Sequence, residues 1–298
     1  MIQRMLKTAI KVVVLDITGQ YSEHFHDVCP SNVEAAIASQ LNDSIAGTLD
    51  DNREVDGQAG NFLAFKEAIA KLLGEFMEGD ERLLILNPNR FEVSRMEGKP
   101  FSGKANLMVR LTVVEITQII SEALLALVQD EFTDEARVCL VLDEAHSLVP
   151  EWNSTVHDAE TGAVNGTARA ILQGRKYGYG CLLITQRTAN VTKSILNQCN
   201  TIFGLRIYDA TGMGFLENYV GASHARLLAT LPDRQAVVFG RASSCNAPII
   251  VRLNDADRVR SDLWEPSLTQ IPKTSGGSAS AATQPEEPGS KTGDDIPF

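Results

Sequence analysis

The chain has no uninterrupted apolar run of about 18 residues, the length a membrane-crossing helix needs. Its aliphatic stretches are short and broken by charged and turn residues. Met1 is followed by Ile2-Gln3-Arg4-Met5-Leu6-Lys7, which has neither the apolar core nor the small-residue cleavage site of a secretion signal. The cytoplasm is therefore the expected compartment, with no membrane partner. Cysteine is scarce: Cys29, Cys139, Cys181, Cys199 and Cys245 stand apart, and none belongs to a C-x-x-C pair. An odd, dispersed set of thiols excludes a disulfide framework and a zinc ribbon. Cys139 and Cys181 fall inside aliphatic runs and are expected to serve as small core residues. Basic charge is also in deficit, with 27 Lys and Arg against 38 Asp and Glu and a formal net charge of −11. That excludes coating a nucleic acid through global charge, but not gripping one through a few local loops.

The 298 residues, 44% of them hydrophobic, are enough for one large buried core. Strand-like and helix-like patterns alternate, which predicts an α/β fold with a mostly parallel sheet covered on both faces. Lys11-Val12-Val13-Val14-Leu15-Asp16 is a continuous β-branched run, as in a strand buried on both sides. Ser31-x-x-Glu34 has the form of a capping box, and the acidic, glycine-containing stretch 50–60 reads as a loop. Phe62, Phe65, Ile69, Leu72 and Phe76 mark one face of an amphipathic helix. Further strands are expected at Arg82 to Leu86, Val138 to Leu142, Cys181 to Thr185, Thr201 to Ile207 and Gln235 to Phe239. Helices are expected at Leu107 to Gln129 and at Ala163 to Tyr177, the second stopped by Gly178. From Pro266 to Gly293 the chain is rich in Ser, Thr, Gly, Pro and Ala, a composition that cannot offset the entropy of ordering and predicts disorder.

The chemistry concentrates at Val138-Cys139-Leu140-Val141-Leu142-Asp143-Glu144-Ala145-His146. A buried strand that ends in two carboxylates suits a magnesium-dependent hydrolase of nucleoside triphosphates: one acid near the metal, the next able to orient water. The same two acids also fit an ordinary solvated turn. The surroundings favour the chemical reading, because a second buried strand ends in Thr185-Gln186-Arg187, and Gly174-Arg175-Lys176-Tyr177-Gly178 closes the helix between the two strands. Arginine neutralises transition-state charge well, since its fork stays protonated and binds phosphate oxygens in pairs.

In this order the segments resemble the HerA/FtsK family of DNA translocases. Leu142 to Pro150 resembles the family's Walker B segment, Ala170 to Gly178 the helix and G-R-K-[FY]-G turn after it, and Thr185 to Arg187 with Ser194 to Asn200 the sensor strand and the following helix. Val14 to Ser22 is similar to the strand and turn one helix downstream of the family's P-loop, although Gln20 stands where the family often has Glu. The resemblance runs from about Lys7 to Leu253. It implies a RecA-like P-loop ATPase core over 1–264, with a helical insertion at about 30–80, and a hexameric ring that hydrolyses ATP with Mg2+ and pumps double-stranded DNA. A nuclease or phage-defence effector is the implied partner. Carried over residue by residue, Asp143 coordinates magnesium, Glu144 activates water, Gln186 senses the γ-phosphate and Arg175 acts on a neighbouring subunit's nucleotide, with Arg187 the competing candidate.

One departure is large. No G-x-x-x-x-G-K-[ST] occurs anywhere in the sequence, and Ser102-Gly103-Lys104-Ala105 lacks both the first glycine and the Ser/Thr. The P-loop strand is therefore expected to be missing, through truncation or because this is a subunit that lends Arg175 to a complete partner. A second resemblance lies in the segment 265–298, where Asp294-Asp295-Ile296-Pro297-Phe298 looks like the acidic tip of bacterial single-stranded DNA-binding proteins. It implies an interaction module that recruits the readers of such tips, and this is the alternative to a motor.

Overall fold

A computed structural model of the chain describes residues 2–6, 8–25, 60–97, 107–130, 132–151, 158–243 and 245–253. The capping box at Ser31 and Glu34, most of the 30–80 insertion, the Ser102 to Ala105 fragment and the whole 265–298 segment, with Asp294, Asp295, Ile296, Pro297 and Phe298, lie outside the described residues.

After a short helix α1 (Ile2–Met5), β1 (Lys11–Leu15) forms where the β-branched run demands it, every residue buried. It leads through a turn to α2 (Gln20–His24). The amphipathic helix α3 (Phe62–Glu78) turns Phe65, Ile69, Leu73 and Phe76 inward, so Leu73 rather than Leu72 completes its buried face. Then come β2 (Leu83–Leu86), β3 (Ser94–Glu97), β4 (Leu107–Arg110) and α4 (Val113–Val128). β5 (Thr133–Leu142) is followed by α5 (Ala145–Leu148), α6 (Asp158–Gly174) and β6 (Tyr177–Leu183). The last elements are α7 (Lys193–Leu196), β7 (Thr201–Gly204), α8 (Ala210–Val220), α9 (Ala222–Leu228), β8 (Gln235–Gly240) and β9 (Ile249–Arg252).

The fold is α/β, built on a fully parallel four-stranded sheet in the order β2-β1-β5-β6. Its two faces bury different residues, as the period-2 alternation of a strand requires. Val13, Leu15, Leu84, Leu86, Leu140 and Leu142 pack under α3, α4 and α6. Val12, Val14, Leu83, Ile85 and Val141 face the other way, against Ile2, Leu6 and Phe25. Burying each of these aliphatic side chains contributes about 1.5–3 kcal/mol, which is why the run from Lys11 to Leu15 cannot slip in register.

Four expectations are corrected. The helix expected from Leu107 begins only at Val113, because Leu107–Arg110 pairs antiparallel with Ser94–Glu97. Thr112 and Glu115 then close a capping box that fixes the helix start: Glu115 N donates to Thr112 Oγ1 at 3.4 Å and Thr112 N to Glu115 Oε2 at 2.9 Å. The helix expected to run to Tyr177 ends at Gly174, where an added Cβ would collide with the buried Tyr179 ring. Tyr177 opens β6 instead, so the strand expected at Cys181 to Thr185 starts earlier and ends at Leu183. Finally, β7, β8 and β9 do not extend the parallel sheet. They form a separate antiparallel sheet with its own core of Leu216, Val220, Ala225, Leu228, Leu231 and Val237.

Candidate functional site

All four strands of the main sheet point the same way, so their carboxyl ends form one row. The connection from β1 leads to β2 on one side, and that from β5 leads to β6 on the other. Such a reversal leaves a crevice between the tips of β1 and β5, the position at which open α/β sheets bind ligands. Leu15 is in register with Leu142, and each strand is followed by an aspartate, so Asp16 and Asp143 occupy this crevice as neighbours.

The two acids are held differently. Asp16 is fully buried and its oxygens are saturated by its own turn: Oδ1 accepts from Gly19 N at 2.8 Å, and Oδ2 from Tyr21 N at 2.8 Å and Ser22 N at 3.1 Å. Gly19 permits this wrap, since its φ of 78° lies in the left-handed region. Asp143 is 7% exposed and has less support. Thr18 Oγ1 lies 3.3 Å from its Oδ2 and 3.0 Å from Asp16 Oδ1. Burial, then the charges of Asp16 and Glu144, push the Asp143 pKa above the usual carboxylate range, and the Thr18 contact only partly opposes this. The same buried negative charge acts on Tyr21, whose phenol is pushed up to about 12, first by burial and then by Asp143 and Asp16.

Glu144 begins α5 with left-handed backbone, φ 49° and ψ 50°, an uncommon state for a residue with a Cβ that costs on the order of 1–3 kcal/mol. The turn aims its carboxylate across to the tip of β6. Gln186 Nε2 stands 3.4 Å from Oε1, and His146 Nδ1 is 3.2 Å from Oε2 and 3.4 Å from Thr185 Oγ1. The acid–histidine contact becomes an ion pair only when the ring is protonated.

Of the residues singled out in the sequence, Asp143, Glu144, Gln186 and Arg187 therefore belong to the carboxyl row. Arg175 does not, because it precedes β6 and lies at the opposite, amino edge of the sheet. Tyr177 to Gln186 at about 3.3 Å per residue separates the two edges by roughly 25–30 Å. Arg175 and Arg187 are both exposed, and neither side chain has a hydrogen-bond or ion-pair partner among the described residues. Sequence reasoning passed over Asp16, Thr18 and His146. The signal for Asp16 was the repeated form of a buried aliphatic strand capped by Asp, at both Asp16 and Asp143.

Asp143 and the Thr18 hydroxyl offer only oxygen donors, the chemistry that suits a hard divalent cation, with the charge of Asp16 beside them. No group of three or more His, Cys, Asp or Glu forms a closed metal cage among the described residues. That pattern fits magnesium, which is commonly held by one or two carboxylates and completes its shell with water and phosphate. A triphosphate fits less well. Six of the N–H groups at these tips are committed elsewhere: those of Gly19, Tyr21 and Ser22 to Asp16, that of Asp143 to Leu15 O, that of Ala145 to Ile184 O and that of Arg187 to Thr185 Oγ1. No lysine occurs in the segments 16–22, 143–148 or 184–190.

With this geometry in hand, comparison with known proteins finds three partial sequence matches and several low-scoring structural ones. The chain is 28% identical over 125 residues to the probable DNA double-strand break repair helicase HerA of Methanocaldococcus jannaschii, covering 41% of this chain and 23% of that protein. It is 29% identical over 140 residues to a further probable helicase of the same organism, covering 44% and 25%. The DNA double-strand break repair helicase HerA of Pyrococcus furiosus matches at 27% over 130 residues, 41% and 21%. The matched part spans about a quarter of the length of these relatives. No protein-family model matches the chain. Among solved structures, the genome packaging NTPase B204 of Sulfolobus turreted icosahedral virus 2, in complex with AMPPCP, superposes with a TM-score of 0.46 at 13% identity, over 85% of this chain and 87% of that one. VirB4 of Thermoanaerobacter pseudethanolicus gives 0.47 at 11% identity, over 86% and 84%. No helix among the described residues is long and apolar enough to cross a membrane.

Proposed function

We propose that this chain supplies the magnesium- and water-handling part of a HerA-like, ATP-driven motor acting on double-stranded DNA. The observation behind this reading is the carboxyl row itself. Asp143 stands in the crevice beside Asp16, and Glu144 faces Gln186 at 3.4 Å from the next strand tip. The sequence matches to the two HerA helicases and a further probable helicase support the same direction.

In this reading Asp143, with Thr18 beside it, would hold magnesium, whose charge would offset the burial and the two like charges that raise the Asp143 pKa. ATP, when bound, supplies the phosphoryl group that water attacks. Glu144 accepts the proton of that water, with Gln186 Nε2 3.4 Å from its Oε1 and His146 Nδ1 3.2 Å from its Oε2. Arg175, exposed at the far edge, serves the site of a neighbouring subunit in a homo-hexamer, and Arg187 is the second candidate. A nuclease or defence effector is the partner that such a motor would feed.

The test is ATP turnover, with and without double-stranded DNA, by the chain supplied with a G-x-x-x-x-G-K-[ST] segment. Glu144→Gln is expected to lower the rate by about 10²–10⁴-fold, the usual contribution of a positioned base. Turnover untouched by Glu144→Gln, or indifferent to DNA, would falsify the motor assignment.

A further inference from the structure

Glu151 is a buried acid that the chemistry proposed above leaves unused. It is 7% exposed, and carboxylates are almost never buried so far unless they are paired. Among the described residues no Lys, Arg or His forms an ion pair with it. Its Oε2 instead accepts a hydrogen bond from Lys193 N at 2.8 Å, from a segment 42 residues along the chain. Lys193 is the first residue of α7, and a helix start leaves its first N–H groups without partners. Thr192, in the capping position, makes no side-chain cap, so Glu151 supplies the acceptor from outside the helix.

The contact belongs to a wider clasp. Pro150 and Val191 form an antiparallel bridge, Glu151 N donates to Asn190 O at 2.8 Å, and Thr192 N donates to Val149 O at 3.0 Å. One limb, 149–151, follows the short helix that Glu144 opens. The other, 190–193, follows the strand tip that bears Gln186 and Arg187. Val149 and Val191 are both fully buried in the main core, which anchors the clasp.

Little slack remains between the clasp and the tip. Arg187 N donates to Thr185 Oγ1 at 3.0 Å, Asn190 N to Arg187 O at 3.0 Å and Val191 N to Thr188 O at 3.3 Å. On the other limb Val149 N donates to Ala145 O, and Ala145 N to Ile184 O, each at 2.9 Å. These bonds close a ring of segments that runs from Glu144 through Glu151 and Lys193 to Gln186. Gln186 Nε2 and Glu144 Oε1 meet across it at 3.4 Å, long for a hydrogen bond and so sensitive to a small shift of either limb.

We propose that Glu151 is a positioning residue, whose bond to Lys193 N holds the turn 185–192 so that Gln186 stands opposite Glu144. Its hydrogen bonds go to Asn190 and Lys193 and not to the crevice, so it acts through Gln186. This rests on the carboxyl row being a hydrolytic site. Misplacing a group in such a site by about 1 Å costs on the order of 10²-fold in rate, which sets the size of the expected effect.

Two measurements test it. Backbone hydrogen exchange of the full chain compares wild type with Glu151→Ala and Glu151→Gln. Loss of the acceptor should speed exchange of the Lys193 amide at least about tenfold, the scale of a hydrogen bond to a charged group, and quicken Asn190 with it. Amides of β1 and β8 should stay as in wild type. Glu151→Gln keeps an acceptor oxygen and should stay within about fivefold of wild type. The second measurement is ATP turnover by the chain supplied with a phosphate loop. Glu151→Ala should lower kcat by about 10–10²-fold with KM for ATP unchanged, and Glu151→Gln should recover most of the loss. In a Gln186→Ala background the effect of Glu151→Ala should largely vanish, because nothing is left to position. If Glu151→Ala does not fold, Glu151→Asp, one methylene too short, replaces it with the same expectations. An unchanged Lys193 amide overturns the clasp. Exchange that quickens evenly along the chain, or a full additive loss in the Gln186→Ala background, overturns positioning and leaves a plain structural contact. A completed wild-type chain without turnover refutes the hydrolytic site, while the exchange data still decide whether Glu151 holds the turn.

Discussion

Asp16 and Asp143 stand next to each other at the tips of adjacent parallel strands, with the Thr18 hydroxyl 3.0 Å from one carboxylate and 3.3 Å from the other. Three backbone N–H groups neutralise Asp16, whereas Asp143 has the Thr18 contact, a backbone contact at Glu144 and two like charges nearby. The crevice thus concentrates its unrelieved negative charge on one residue.

Asp143→Asn is therefore expected to stabilise the metal-free protein, raising Tm by a few degrees. The raised pKa means the folded state binds the proton of Asp143 more tightly than the unfolded chain does. Its stabilising effect is complete below the unfolded carboxylate pKa and is lost as pH rises through the higher folded value. The gain from Asp143→Asn should accordingly be present at pH 8 and disappear at pH 3, read by thermal unfolding at both. Magnesium should stabilise the wild type and not the variant. A variant less stable than wild type at pH 8 without metal would contradict the charge assignment.

The 298-residue chain by itself should neither bind nor hydrolyse ATP appreciably. Carboxylates cannot replace the N–H cradle and lysine that hold β- and γ-phosphates, and the sequence contains no such motif. Phosphate release and nucleotide binding should both stay at background. Robust magnesium-dependent turnover that vanishes in Glu144→Gln would sink this expectation.

Once a phosphate loop is provided, Arg175→Ala and Glu144→Gln should each be inactive alone and partly active when mixed. An arginine contributed across a subunit boundary is worth about 10³–10⁵ in rate, so rescue is easily measured. No rescue in well-mixed assemblies would turn attention to Arg187.

Gly178→Ala should destabilise the fold by on the order of 2–4 kcal/mol. Gly178 has φ 76° and packs against Glu135 O, with no room for a Cβ, where β5 shifts register between Thr133 and Val138. Chemical denaturation would measure the loss. A cost under about 0.5 kcal/mol, as for an ordinary surface position, would mean that the shift is not fixed by this contact.

Much of the site was legible in the sequence because its parts are local. The run Val138 to Glu144 states both the strand and the acids at its end, and Lys11 to Asp16 does the same. Their adjacency was not legible, since it depends on the register of Leu15 against Leu142, a contact between distant stretches of chain. The hairpin Ser94–Glu97 with Leu107–Arg110 was missed for a related reason. Leu107-Met108-Val109-Arg110 runs straight into the apolar pattern of the next helix, and only the Thr112–Glu115 box marks the break. The boundary at Gly174 was obscured because Gly178, a residue within β6 with φ 76°, reads in the sequence as the glycine that stops a helix just past Tyr177.

The distance between Arg175 and Glu144 has a consequence for how activity depends on concentration. An arginine side chain reaches well under half of the roughly 25–30 Å between the sheet's two edges, so no rotamer change or loop closure brings the two groups together within one molecule. If both are required, a single folded copy is inert however well made, and rate per molecule must fall on dilution once neighbours separate. Specific activity plotted against protein concentration would then bend upward from zero, a kinetic order above one that no active site contained in a single copy can produce.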